Sequence, residues 1–209
     1  MLNLNDFFGE VHDNADRHGW WDEERSTGEI LSLIHSELSE ALEEYRAARP
    51  NVWYACEEAP DSKIHVCDPK DETECLNFGK ETECKHRGHK PEGIAVELAD
   101  AVIRIFDFIG AIGGRLENES TIMDVLADMP EGRKADCELK FPDFVCTLHY
   151  IVSEAYAADN TEKAGQILMT VVAMILCWIT KQGIDAEKLI LEKHTFNLHR
   201  SYKHGGKVC

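Results

Sequence analysis

Residues 94–114 read IAVELADAVIRIFDFIGAIGG. Apolar side chains recur on every side of a helical period here, and a helix that is apolar all round belongs in an interior. Pro91 stands just before it, where a helix can begin, and the pair Gly113 and Gly114 marks its end. Two acids interrupt the run, Glu97 and Asp100. Three residues apart, they share one face with about 5 to 6 Å between their β-carbons. A buried helix carries its acids inside with it.

The same spacing occurs upstream, at Glu37 and Glu40. That pair lies in a second helical stretch that opens at Ser26, with Glu29 three residues on in the pattern of a capping box, and ends before Pro50. Ile30, Leu31, Leu33, Ile34, Leu38, Ala41, Leu42 and Tyr45 give it a broad apolar stripe. Residues 4–18 read as an earlier helix, interrupted by His18, Gly19, Trp20 and Trp21. Three more helices are expected near 142–158, 161–182 and 185–200, with a helical turn around Thr121 to Met129. No strand is expected. The fold class is therefore all-α, a single domain over 1–209 with an insertion at 50–92 and an additional helical segment at 114–182.

Ionised carboxylates left uncompensated in an interior cost several kcal/mol each, and four together repel one another. A hard divalent cation removes both penalties. Oxygen-only ligation by Glu37, Glu40, Glu97 and Asp100 points to Mg²⁺, or Mn²⁺, rather than Zn²⁺. For either pair alone the alternative is a solvated helix face. Glu44 and Asp107 extend the two faces as further acids, whereas Glu43 reads as surface charge. Arg104, four residues beyond Asp100, is placed to pair with that acid or to reach a phosphate.

The chain has 39 acidic against 22 basic residues, a formal net charge of −17, which disfavours nucleic acid as a partner. Its acidic, polar start lacks the pattern of an export signal, so a cytoplasmic location is expected. The longest apolar run, Ile167 to Ile179, has 13 residues with only Thr170 polar. A helical span needs roughly 20, so this run reads as a core helix and no membrane is expected. Positive charge is concentrated in KHTFNLHRSYKHGGK, from Lys193 to Lys207, which contains no acid. A solvated tail is one reading of it. The other is a polyphosphate-binding segment beside the carboxylates.

Four of the eight cysteines, Cys56, Cys67, Cys75 and Cys84, fall in the polar insertion. With His86 and His89 they suit a structural zinc, but no two cysteines have the close spacing of a knuckle, and a metal-free loop is the favoured alternative. A faint repeat relates SELSEAL at 36–42 to YIVSEAY at 150–156. It matches Glu37 with Ile151, and Glu97 and Asp100 with Ile167 and Thr170, leaving a second half without these acids. Chance likeness between amphipathic helices is the other explanation.

GWWDEERSTGEILSLIHSELSEALEEYR, KPEGIAVELADAVIRIFDF and GIDAEKLILEKHTFNLHRSYKHGGK together resemble the MazG-like all-α nucleoside triphosphate pyrophosphohydrolases, relatives of the dimeric dUTP and dCTP pyrophosphatases. The resemblance implies a four-helix core, a homodimer, and Mg²⁺-dependent hydrolysis of an NTP or dNTP to the monophosphate and pyrophosphate. It implies Glu37, Glu40, Glu97 and Asp100 as metal ligands, with Glu40 as the base. Lys193, Asn197, Arg200, Tyr202 and Lys203 become phosphate-side candidates, and Trp20 or Trp21 an aromatic wall for the base. Three departures stand out: Ser36 where many members have glutamate, 56 residues between Glu40 and Glu97, and the segment 114–182. A di-iron bundle would require ExxH pairs on helices, and only Glu83 and His86 have that spacing near the motifs. A binding module without turnover is the competing class, and retention of all four acids argues for catalysis.

Overall fold

A computed structural model describes residues 2–55, 66–67, 90–116 and 120–203. Among them are eight α-helices: α1 Leu4–Arg17, α2 Thr27–Arg46, α3 Ile94–Ala111, α4 Ile122–Ala127, α5 Glu131–Lys134, α6 Phe141–Tyr156, α7 Thr161–Lys181 and α8 Ala186–Asn197. The helix starts follow side-chain chemistry. Asn3, Asn160 and Asp185 each accept from backbone N–H groups in the first turn, satisfying donors that the helix itself cannot. Thr121 and Asp124 complete a reciprocal box at α4. At α2 only half of the expected box forms: Ser26 accepts from the Glu29 N–H at 3.1 Å, while the Glu29 carboxylate lies 3.5 Å from Arg25. The nearby guanidinium competes for it.

The expectation of no strand is overturned. Three short strands, β1 Trp53–Ala55, β2 Val66–Cys67 and β3 Lys90–Glu92, form an antiparallel sheet in the order β2-β1-β3. Strands of two or three residues are too short to display alternation, which is why periodicity missed them. Pro91 therefore lies in an edge strand, where its missing N–H is tolerated, and not at the start of α3. Gly93 makes the turn between them at φ 112°. A β-carbon there would approach the carbonyl oxygens of Pro50 and Asn51 to 2.7 Å, so glycine is required on both counts.

Helices α2, α3, α7 and α6 pack in a closed ring, α1 and α8 lie against α3, and one continuous hydrophobic core joins them. Two walls of the ring thus come from the segment 114–182, which the sequence suggested as an addition. Helix α7 is long and apolar enough to cross a membrane, but most of its apolar window is buried against its neighbours. Helices α2 and α6 run antiparallel, with the Tyr156 ring beside Gly28 and Tyr45 beside Phe141. Midway, His35 stacks on His149 with Nδ1 to Nδ1 at 2.7 Å. These two histidines are counterparts in the sequence repeat, and a residue meeting its own counterpart is what a two-fold axis produces. The contact favours repetition over chance.

Gly110 lets α1 approach α3. A β-carbon there would lie 2.4 Å from the Phe8 carbonyl oxygen and 2.7 Å from the His12 β-carbon. Alanine favours a helix over glycine by about 1 kcal/mol, whereas overpacking costs about 1–3 kcal/mol. Gly110→Ala should therefore destabilise the chain, read as a lower urea midpoint. An equal or higher midpoint would mean that α1 moves aside freely.

Candidate metal centre

Glu37 and Glu40 project from α2, and Glu97 from α3, so that each can offer an oxygen within 4.8 Å of the others. Glu37 and Glu97 are buried and Glu40 is exposed, which gives the group one side open to solvent. Asp100, one turn beyond Glu97, is also buried but turned elsewhere. Its Oδ2 lies 2.9 Å from Lys193 Nζ, and its Oδ1 accepts from Asn197 Nδ2 at 3.3 Å. The structure therefore brings three of the four expected ligands together and pairs the fourth with α8.

Two cations offset the buried charge. The Arg104 Nε donates to Glu37, linking α3 to α2. Lys193 is almost wholly buried, and besides Asp100 it reaches the Pro91 carbonyl at 3.4 Å. Burial opposes the charge on Lys193, yet Asp100 and Glu97 hold its pKa above the ordinary value. Burial likewise opposes the charge on Asp100, but Lys193 outweighs it and keeps the carboxyl below the usual range. Glu37 is raised, chiefly by burial, despite Arg104. Glu97 is raised to about 9, by burial first, with Asp100 and a hydrogen bond to Glu92 adding to it against Lys193.

Glu92 was not anticipated. It arrives on β3, a strand that periodicity could not reveal. The donor set of carboxylate oxygens, one of them carrying a proton, fits a hard divalent cation that would take that proton's place.

A cleft opens beside these acids. It is lined from α1 by Asn14, from the turn that follows by His18, Trp20 and Arg25, from α3 by Asp100, Arg104 and Asp107, and near the C-terminus by Asn197 and Arg200. Three arginines in one cleft make a local positive site in an acidic protein. Arg104 and Arg200 were anticipated, but Arg25, His18 and Asn14 were not, because no spacing in sequence joins α1 to α3.

His18 docks the chain's end. Its ring nitrogens face the carbonyls of Asn14 at 2.7 Å and Arg200 at 2.9 Å, and its own carbonyl accepts from the Lys203 N–H at 3.0 Å. The segment is therefore not a solvated tail up to Lys203.

Other expected contacts are redistributed. Lys193 serves the interior and Asn197 the cleft. Tyr202 donates its hydroxyl to Asp22 and Lys203 lies 3.7 Å from the same carboxylate, so neither lines the cleft. Both follow the turn that His18 imposes. Trp20 lines the cleft, with the Arg25 guanidinium 5.4 Å from its ring centre. Trp21 does not line it, because its indole N–H is committed to Asp107 at 2.9 Å. Glu44 accepts from Trp53 at 2.7 Å and Arg49 at 3.1 Å, tying the start of the insertion to α2, while Glu43 pairs with Arg46 at the surface. Of the suggested zinc ligands, Cys56, Cys75, Cys84, His86 and His89 lie outside the described residues, as does Lys207. Cys67 contributes its backbone to β2.

No family model matches the chain, and neither the curated proteins nor the solved structures gave a match.

Between the ordinary glutamate value of 4.5 and about 9, folded Glu97 holds a proton that the unfolded chain has released. The Glu97 contribution to metal-free stability must then fall as pH rises through that window. Glu97→Gln stays neutral and removes this slope. Thermal melting without metal should show the variant gaining on the native chain between pH 6 and pH 8.5. Parallel pH profiles would mean that Glu97 ionises freely in the fold.

Proposed function

We propose that this chain is a Mg²⁺-dependent nucleoside triphosphate pyrophosphohydrolase of the MazG-like all-α kind, giving a nucleoside monophosphate and pyrophosphate. The observation that supports it is Arg104, which lines a cleft together with Arg25 and Arg200 and donates to Glu37 of the carboxylate group Glu37, Glu40 and Glu97. Neither half suffices: acids alone would repel a triphosphate, and arginines alone would bind without activating water. Every residue of the proposed site comes from one chain.

In this reading Glu37, Glu40 and Glu97 would hold the ion, joined by Asp100 only if it gives up part of its bonding to Lys193 and Asn197, with Mn²⁺ as the other cation such oxygens suit. Bound there, the ion supplies charge neutralisation on the phosphates and a more acidic water. Arg104 and Arg200, the arginines whose charge reaches Asp100, orient the polyphosphate through their planar forks, which grip two oxygens at once. Arg104 has a choice to make, since its guanidinium already serves Glu37. An ion held by Glu37 would leave Arg104, now bonded to that carboxylate, able to reach a phosphate oxygen. Glu40 is the group to take a proton from the attacking water, because it is the exposed member and no cationic side chain holds it among the described residues. Ser36 donates its hydroxyl to Glu40 at 3.3 Å and steadies it.

Phosphorus NMR of a Mg²⁺ reaction with a mixed panel of NTPs and dNTPs should show pyrophosphate and monophosphate growing together. Orthophosphate with a diphosphate would place the attack elsewhere, and no turnover on any member would leave a nucleotide-binding module. Glu40→Gln should slow turnover about 10²–10⁴-fold, the usual worth of a positioned base. Arg200→Lys keeps the charge but loses the fork, so KM should rise more than kcat falls. Unchanged steady-state kinetics in both variants would remove these residues from the mechanism.

A further inference from the structure

Asp107 stands on α3 two turns beyond Asp100, about 10 Å along the helix axis, and lines the far part of the same cleft. Its carboxylate is fixed from behind. Trp21 Nε1 donates to both oxygens, to Oδ1 at 2.9 Å and to Oδ2 at 3.2 Å, and His12 Nδ1 lies 2.9 Å from Oδ1, so that Oδ2 carries one contact and Oδ1 two. The Trp21 and His12 rings meet edge to face at 5.1 Å, which prevents the acid from swinging. That hydrogen bond to Asp107 also raises the His12 pKa. A carboxylate offers about four acceptor positions, and these contacts concentrate on Oδ1. Acceptor capacity on Oδ2 is left for the cleft. On the same cleft, Asn197 Oδ1 is a buried acceptor without a hydrogen-bond partner among the described residues.

We propose that Asp107 reads the nucleobase, accepting a hydrogen bond from an exocyclic amino group, so that between triphosphates differing in that group the amino-bearing one is preferred, cytosine over uracil and adenine over hypoxanthine. This rests on the pyrophosphohydrolase reading for the direction of the nucleotide, with phosphates on the arginines beside the metal ligands. The sugar is bonded to the α phosphate and stays near those ligands, whereas the edge of the base is the part that reaches two helical turns away. A carboxylate accepts from the amine of cytosine. Facing the keto oxygen of uracil it would set acceptor against acceptor, and a site built for a donor rejects the analogue that lacks one. Arg25 over Trp20 leaves a flat cationic and aromatic surface on the same cleft, suited to the face of a base.

The test compares kcat/KM for CTP, UTP, ATP, ITP and dCTP in the native chain and in Asp107→Asn, whose amide can turn an N–H towards the base. The native chain should favour CTP over UTP and ATP over ITP by about tenfold or more, and the variant should narrow or invert both ratios. Trp21→Phe keeps the ring but removes the N–H that fixes the acid, and should narrow them less. If Asp107→Asn does not fold by circular dichroism, the native ratios and Trp21→Phe decide. No amino preference in the native chain, an equal loss on all five substrates, or a contrast between CTP and dCTP in place of the base contrast would overturn the proposal. Tryptophan fluorescence titrations with α,β-methylene CTP and α,β-methylene UTP in Mg²⁺ separate the two readings. An amino preference in binding without turnover of any triphosphate upholds Asp107 and rejects hydrolysis, whereas turnover without that preference does the reverse.

Discussion

Placing carboxylates on a helix that is apolar all round obliges the rest of the fold to bring positive charge to them. Lys193 does so from α8 and Arg104 from α3 itself, and each bond joins two helices as it cancels a charge. Losing either partner would leave an unpaired buried ion, which costs far more than the pair contributes. The position of α8 follows from this constraint: Lys193 reaches both Asp100 and the Pro91 carbonyl, so helix, strand and acid are set together. The site is accordingly balanced without an ion. An ion binding there, as proposed, would have to displace a proton from Glu97 and rearrange existing ion pairs.

The helices were legible because their apolar periods run for three turns or more and their caps are chemical. Glu37, Glu40, Glu97 and Asp100 were legible through the unusual company of the second pair, acids among Val96, Leu98, Ala99 and Ala101. What spacing could not provide was the partner of each acid. Lys193 looked like the first residue of a basic tail, yet it is a core residue, since a lysine stem is itself apolar and only its tip needs an anion. Trp20 and Trp21 were indistinguishable as neighbours in sequence. Their roles divide because the turn after α1 sends one ring to the cleft and the other behind Asp107. The strands escaped notice for the opposite reason, having too few residues to carry a pattern, and Glu92 was missed with them.

A net charge of −17 opposes a polyanionic ligand, and the proposed site would meet that conflict locally. Fields from exposed acids are screened within about 8–10 Å at ordinary salt, while three arginines lining one cleft act at contact distance. Overall acidity then discourages long nucleic acids, which need an extended basic surface, without opposing a short phosphate chain in the cleft.

The stacked histidines on α2 and α6 mark where two halves of one chain face each other as two subunits would. In a homodimer every substitution is made twice, and an acid cannot be lost from one copy alone. Fusion lifts that bond. Ile151, Ile167 and Thr170 can stand where the other half has Glu37, Glu97 and Asp100, and the second half is free to drift towards pure scaffolding. Such a chain has a built-in direction of divergence: the half without these acids can absorb change that the half carrying them cannot.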